Sequence, residues 1–179
     1  QPVTPTAPIV GAITQPTCTV ATGSVVLSGL PAGNWTINPG GIAGNTLSTT
    51  ISGLAASGTY TYTVTNAAGC TSPASANVVI NAQPATPTAP IVGTITQPTC
   101  TVATGSVVLS GLPATGTWTL TRNPGAVTTT GTGTTTTING LASGTYTYTV
   151  TNAAGCTSPA SANVVINAQP VTPTAPIVG

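Results

Sequence analysis

Residues 59–65 read TYTYTVT. Tyr60, Tyr62 and Val64 alternate with four threonines, a period of two that only an extended strand uses, since its successive side chains point to opposite faces. The apolar face is read as core and the threonine face as solvated. Threonine suits the wet face because it is β-branched and bonds water through its hydroxyl. The same stretch returns unchanged inside a second copy of its surroundings. SGTYTYTVTNAAGCTSPASANVVINAQP occupies both 57–84 and 143–170.

Outward from that strand, the whole chain is two near-copies. ITQPTCTVATGSVVLSGLPA stands at 13–32 and again at 95–114. QPVTPTAPIVG occurs at 1–11 and 169–179, with QPATPTAPIVG at 83–93. The copies diverge mainly within 33–56 and 115–142, where the second is longer, as expected of surface hairpins that tolerate insertion. A repeat of more than eighty residues is long enough to be a domain by itself, unlike the shorter units of a solenoid. The expected organisation is a Pro-rich linker at 1–8, repeat one at 9–82, a linker at 83–90, repeat two at 91–168, and the start of a further linker at 169–179. The chain is expected to be an interior window of a longer array.

Within repeat one, further strands are expected at Ile9–Thr14, Gly23–Ser28, Asn34–Asn38, Thr46–Ser52 and Ala76–Ile80. Turn signals separate them: GLPAG at 29–33, NPGG at 38–41 and NAAGC at 66–70. Short strands at this spacing with no helical period predict an all-β fold of tandem immunoglobulin-like β-sandwiches joined by extended linkers. Leu141, Gly144 and Tyr146 have the spacing of a tyrosine corner. Repeat one carries an extra alanine there, which displaces Leu54 by one position. Trp35 and Trp118 fall where strand C places a core tryptophan, so with Tyr60, Tyr62, Tyr146 and Tyr148 they form the expected aromatic core.

Composition excludes most chemistry. Among 179 residues there is one cation, Arg122, and no Asp, Glu or His. Ordinary domains carry about 25% charged residues. General acid–base catalysis relies mostly on the missing side chains, and the many hydroxyls have no base to activate them. Calcium sites need carboxylates, and nucleic-acid binding needs clustered cations. The chain is therefore expected to be no enzyme, to take no cofactor or metal, and to bind no nucleic acid. Mean hydropathy is +0.38, yet no apolar run reaches the ~18 residues of a membrane-spanning helix.

Four cysteines, Cys18, Cys70, Cys100 and Cys156, stand in equivalent pairs. An even count without CxxC or His favours disulfides over metal, and an oxidising compartment. The favoured pairing is within each repeat, Cys18–Cys70 and Cys100–Cys156, on the premise that the ends of a sandwich bring those turns together. Such a bridge would stabilise by about 4 kcal/mol. The rival is a Cys70–Cys100 staple between repeats. Prolines recur every third residue in the linkers, at Pro2, Pro5 and Pro8, at Pro84, Pro87 and Pro90, and at Pro170, Pro173 and Pro176. Polyproline II has the same period, so each set would face one side of a semi-rigid spacer. The match to P-x-x-P ligands lacks an accompanying basic residue. The sequon Asn34–Trp35–Thr36 has no counterpart in repeat two, where Thr117 replaces the asparagine.

TQPTC, TGSVVLSGLP, the Trp–Thr of WTI and WTL, LASGTYTYTVTNAAGCTSPAS and ANVVI together resemble the Ig-like repeats of giant surface adhesins of Bacteroidota. These are the SprB-like, gliding-motility-associated proteins exported by type IX secretion. The resemblance spans both repeats and their linkers. It implies an extracellular filament at the cell surface, thousands of residues long and ending in a sorting domain. It implies a structural role in adhesion, gliding or biofilm cohesion. The family's sugar-attachment signal contains an Asp, which this chain lacks. Expected partners are neighbouring repeats, other copies of the filament, and surface polysaccharide. A carbohydrate-binding module, with the divergent segments as its face, and a short subunit that assembles into fibres are the alternatives.

Overall fold

The computed structural model describes residues 1–174. Every described element is a strand. The chain forms two compact units, the first running from Gln1 to Pro84 and the second starting at Ala85. In the first unit the strands are β1 (Ile9–Thr14), β2 (Thr22–Ser28), β3 (Trp35–Asn38), β4 (Ile42–Gly44), β5 (Ser48–Ala55), β6 (Thr59–Tyr60), β7 (Thr63–Asn66) and β8 (Val78–Val79). One sheet has the order β1-β2-β5, and the other is built from β4-β3-β7 and the β6-β8 pair, all antiparallel. This is an immunoglobulin-like sandwich. Val25 and Leu27 of β2, Ile37 of β3, Val64 of β7 and Val78 of β8 are all fully buried between the sheets, with Trp35 and Tyr62 among them.

The second unit repeats the plan with β9 (Ile91–Thr96), β10 (Gly105–Ser110), β11 (Trp118–Asn123), β12 (Val127–Gly131), β13 (Thr135–Leu141), β14 (Gly144–Thr151) and β15 (Val164–Ile166). Its sheets are β13-β10-β9 and β12-β11-β14-β15. The identical segment SGTYTYTVTN is one strand here and two in the first unit. The cause lies in its partner. The Thr121–Arg122 step lengthens β11, which pairs with β14 as far as Asn123↔Thr147. The shorter β3 stops at Asn38↔Thr63.

Strand β4 arises from GIAG, which carries too few alternating positions to announce itself. It pairs with β3 across the NPGG turn. Two glycines are fixed by close approach. A Cβ on Gly23 would lie 2.6 Å from the Thr14 carbonyl and 2.9 Å from Ile80, where the β2–β5 register shifts between Gly23 and Val25. A Cβ on Gly44 would fall on the Trp35 ring, and Gly131 stands in the same relation to Trp118.

Candidate functional site: the two poles of each repeat

Each sandwich holds its own flanking segments, and it does so at opposite poles. At the leading pole the Asn66 carboxamide closes the turn after β7. Its Oδ1 accepts from the amides of Ala68 (3.1 Å) and Cys70 (3.0 Å), while its Nδ2 donates to the Val3 carbonyl at 2.8 Å. Val3 and Pro5 lie there beside Gly29 and Pro31 of the β2–β3 loop. Asn152 repeats the arrangement in the second unit, donating to Ala85 O at 2.8 Å. The Pro-rich stretch is thus laid onto the repeat that follows it. Its prolines sink progressively: Pro2 is exposed, Pro5 half-buried and Pro8 buried, and Pro90 is buried likewise. Pro84 and Pro87 are half-buried, Pro170 and Pro173 exposed, and Pro176 lies outside the described residues.

At the trailing pole two glutamines do the holding. Gln15, just after β1, donates from Nε2 to Val79 O (3.0 Å) and accepts from the Asn81 amide (2.8 Å). A side-chain amide here imitates one rung of a strand ladder and extends the pairing beyond β8. Gln83 donates to the carbonyls of Thr17 and Cys18 at 3.2 and 3.4 Å. In the second unit Gln97 does the same with Val165 O and the Asn167 amide, and Gln169 donates to the carbonyls of Thr99 and Cys100.

This placement corrects the expected disulfides. Cys18 sits in the β1–β2 loop at the trailing pole, and Cys70 in the turn at the leading pole. Six-residue β1 runs between those poles, roughly 20 Å at 3.3 Å per residue, whereas a disulfide needs Cα atoms within about 7 Å. The premise that both turns share an end fails, because β1 leads away from one pole and arrives at the other. In the structure Cys18 and Cys156 are each in a disulfide, and Cys70 and Cys100 are free thiols. Neither intra-repeat bridge forms, nor does the Cys70–Cys100 staple.

The aromatic residues are packed rather than displayed. Trp35 and Trp118 are 3% and 2% exposed, and each indole N–H donates at 2.8 Å to a carbonyl, of Thr46 and Gly133. An open depression of about 500 Å³ near Asn34, Asn45 and Asn66 reaches the Trp35 edge. Its carboxamides can bond sugar hydroxyls, but the buried ring offers no stacking face. Tyr146 donates to the Ala142 carbonyl at 3.0 Å, closing the corner on itself. In repeat one Tyr60 reaches Ala55 O at the same distance, one residue further back. The extra alanine is absorbed by that shift. Tyr60 and Tyr146 are half-buried, and Arg122 lies over the Tyr146 ring, 5.1 Å from its centroid, a cation–π contact.

Tyr62 and Tyr148 are nearly fully buried, and their hydroxyls have no hydrogen-bond partner. Burial pushes both phenols above their usual pKa; at Tyr148 the nearby Arg122 partly opposes this. The buried serines are a feature the alternation pattern could not reveal. Ser75 Oγ accepts from the Tyr62 amide and Ser72 Oγ from the Val64 amide, each at 3.0 Å. Ser161 and Ser158 serve Tyr148 and Val150 identically. Proline interrupts the strand in TSPASA, and the hydroxyls replace the lost ladder. Ser72 and Ser75, spaced three apart around Pro73, are visible in the sequence, but the role of their hydroxyls is not.

The sequence matches no protein-family profile and no curated protein. Among solved structures it is similar to the human OSCAR ligand-binding domain, at 17% identity over 92% of this chain and 100% of that one, TM-score 0.40. Chicken CNTN1 FN1-FN3 domains align at 10% identity over 92% of this chain and 69% of theirs, TM-score 0.43. The BSP domain of a biofilm-associated protein aligns at 19% identity over 90% of this chain but 29% of its own, TM-score 0.34. The sandwich assignment rests on the strand order itself. No described helix is long and apolar enough to cross a membrane.

Proposed function

We propose that the chain is a structural segment of an extracellular adhesin or filament stalk, built from tandem Ig-like repeats. The observation that carries this reading is polarity. Each sandwich receives its chain at the Asn66 or Asn152 pole and releases it at the Gln83 or Gln169 pole. A module whose two ends lie at opposite poles can be strung head to tail without long connections. The near-identity of the repeats and the Pro-rich joints fit a shaft, whose copies need only be alike. A chain with no Asp, Glu or His cannot stiffen its joints with calcium, and proline is its available substitute. Disulfide-bonded cysteine, at Cys18 and Cys156, agrees with an oxidising, extracellular setting. The resemblance to SprB-like adhesins makes gliding, adhesion or biofilm cohesion the proposed context, on a Bacteroidota cell surface, with neighbouring repeats as the first partners.

Small-angle scattering on the 179-residue protein tests the reading. An extended pair of repeats, with a maximum dimension close to twice that of one repeat, is the expected result. Two repeats folded side by side would overturn it.

A further inference from the structure

The cysteines carry an inference that deepens the stalk reading and rests on it for the head-to-tail order. Cys18 and Cys100 occupy the same trailing-pole loop, each beneath the carboxamide of Gln83 or Gln169. Cys70 and Cys156 occupy the same leading-pole turn, each with its amide held by Asn66 or Asn152 at 3.0 Å. One member of each class is in a disulfide, Cys18 and Cys156. The other members, Cys70 and Cys100, are thiols, half-buried and exposed. Since the local frames are the same, the free thiols sit in loops already shaped for disulfide formation. They mark the leading pole of the first repeat and the trailing pole of the second.

We infer that Cys70 and Cys100 are complementary linking positions: each bonds a further copy of the repeat, always a leading-pole cysteine to a trailing-pole cysteine. The partner is a second copy of this sandwich. It presents Cys100 or its equivalent to Cys70, and Cys70 or its equivalent to Cys100. In forming the bond, two thiols lose two protons and two electrons. A small-molecule disulfide such as oxidised glutathione accepts them and leaves as two thiols. No charged side chain opposes the approach, because the only one in the chain, Arg122, lies in β11.

The test uses the 179-residue protein in a buffer of oxidised and reduced glutathione, read by intact mass and non-reducing electrophoresis. A ladder of linked copies is expected, collapsing on reduction, with Cys70–Cys100 peptides dominating the digest. Cys70→Ser and Cys100→Ser proteins should each stay monomeric alone. Mixed one to one, they should give dimers and nothing larger. The inference is overturned if single variants dimerise as readily as the mixture. It is equally overturned if only glutathione adducts form, or if Cys70 and Cys100 close within one chain. Those failures leave the scattering result untouched, so the stalk reading stands or falls separately.

Discussion

The hydroxyl of Ser75 accepts a hydrogen bond from the backbone N–H of Tyr62 at 3.0 Å and donates one to the Ala76 carbonyl at 2.8 Å. The Ser75 amide in turn donates to Tyr62 O. One side chain thus completes a strand pairing that the neighbouring proline has interrupted. Replacing it orphans a buried amide, and an unsatisfied buried donor costs about 1–3 kcal/mol. Ser75→Ala and Ser161→Ala are each expected to destabilise their repeat by that amount in urea unfolding. Ser48→Ala, at an exposed position, should change stability by less than about 0.5 kcal/mol.

Tyr62 and Tyr148 bury hydroxyls that bond nothing. Removing such a group releases its desolvation cost, so Tyr62→Phe should leave stability unchanged or raise it by up to about 1 kcal/mol. A loss larger than that would show a partner for the hydroxyl, such as a trapped water.

The same burial sets the pH dependence. Both phenols are pushed above the usual 10 in the folded state. The unfolded chain therefore releases these protons first as pH rises, and stability must fall above about pH 10. With no Asp, Glu or His in the chain, thermal midpoints should be flat from roughly pH 4 to 7 and insensitive to salt. A slope in the acid range would contradict this account.

Gly44 lies against the Trp35 ring with no room for a methyl group. Gly44→Ala should cost about 1–3 kcal/mol through overpacking and alter the near-ultraviolet circular dichroism of the tryptophan. Gly131→Ala should do the same in the second repeat. Gly33→Ala is a control without a clash, since nothing lies within 4 Å of its Cβ position; it carries only the strain of its positive φ.

Asn66 couples the turn 66–70 to Val3 through one carboxamide. Asn66→Ala should destabilise by about 1–2 kcal/mol. Amide exchange would localise the effect, rising at Ala68 and Cys70. The segment 1–8 should become more sensitive to protease while the second repeat is unchanged.

The alternation of TYTYTVT and TGSVVLS, with its apolar face at every second residue, determined the strands and the core from sequence. Period two leaves only one way to bury that face. Repetition likewise marked two units, because two copies of one pattern make two copies of one core. The tyrosine corner was legible from Leu141, Gly144 and Tyr146, though not how repeat one would absorb its extra alanine. Four things had no local signature: the serines that stand in for a ladder, the Asn66 clamp, the Gln15 rung, and the poles on which the cysteines fall. Each depends on residues more than sixty positions apart, or on a backbone partner left vacant by proline, and no window of sequence contains both halves. The disulfide pairing failed for that reason. The premise that a sandwich end gathers both turns suggested that Cys18 and Cys70 meet, and only the direction in which β1 crosses the sandwich decided that they lie at opposite ends.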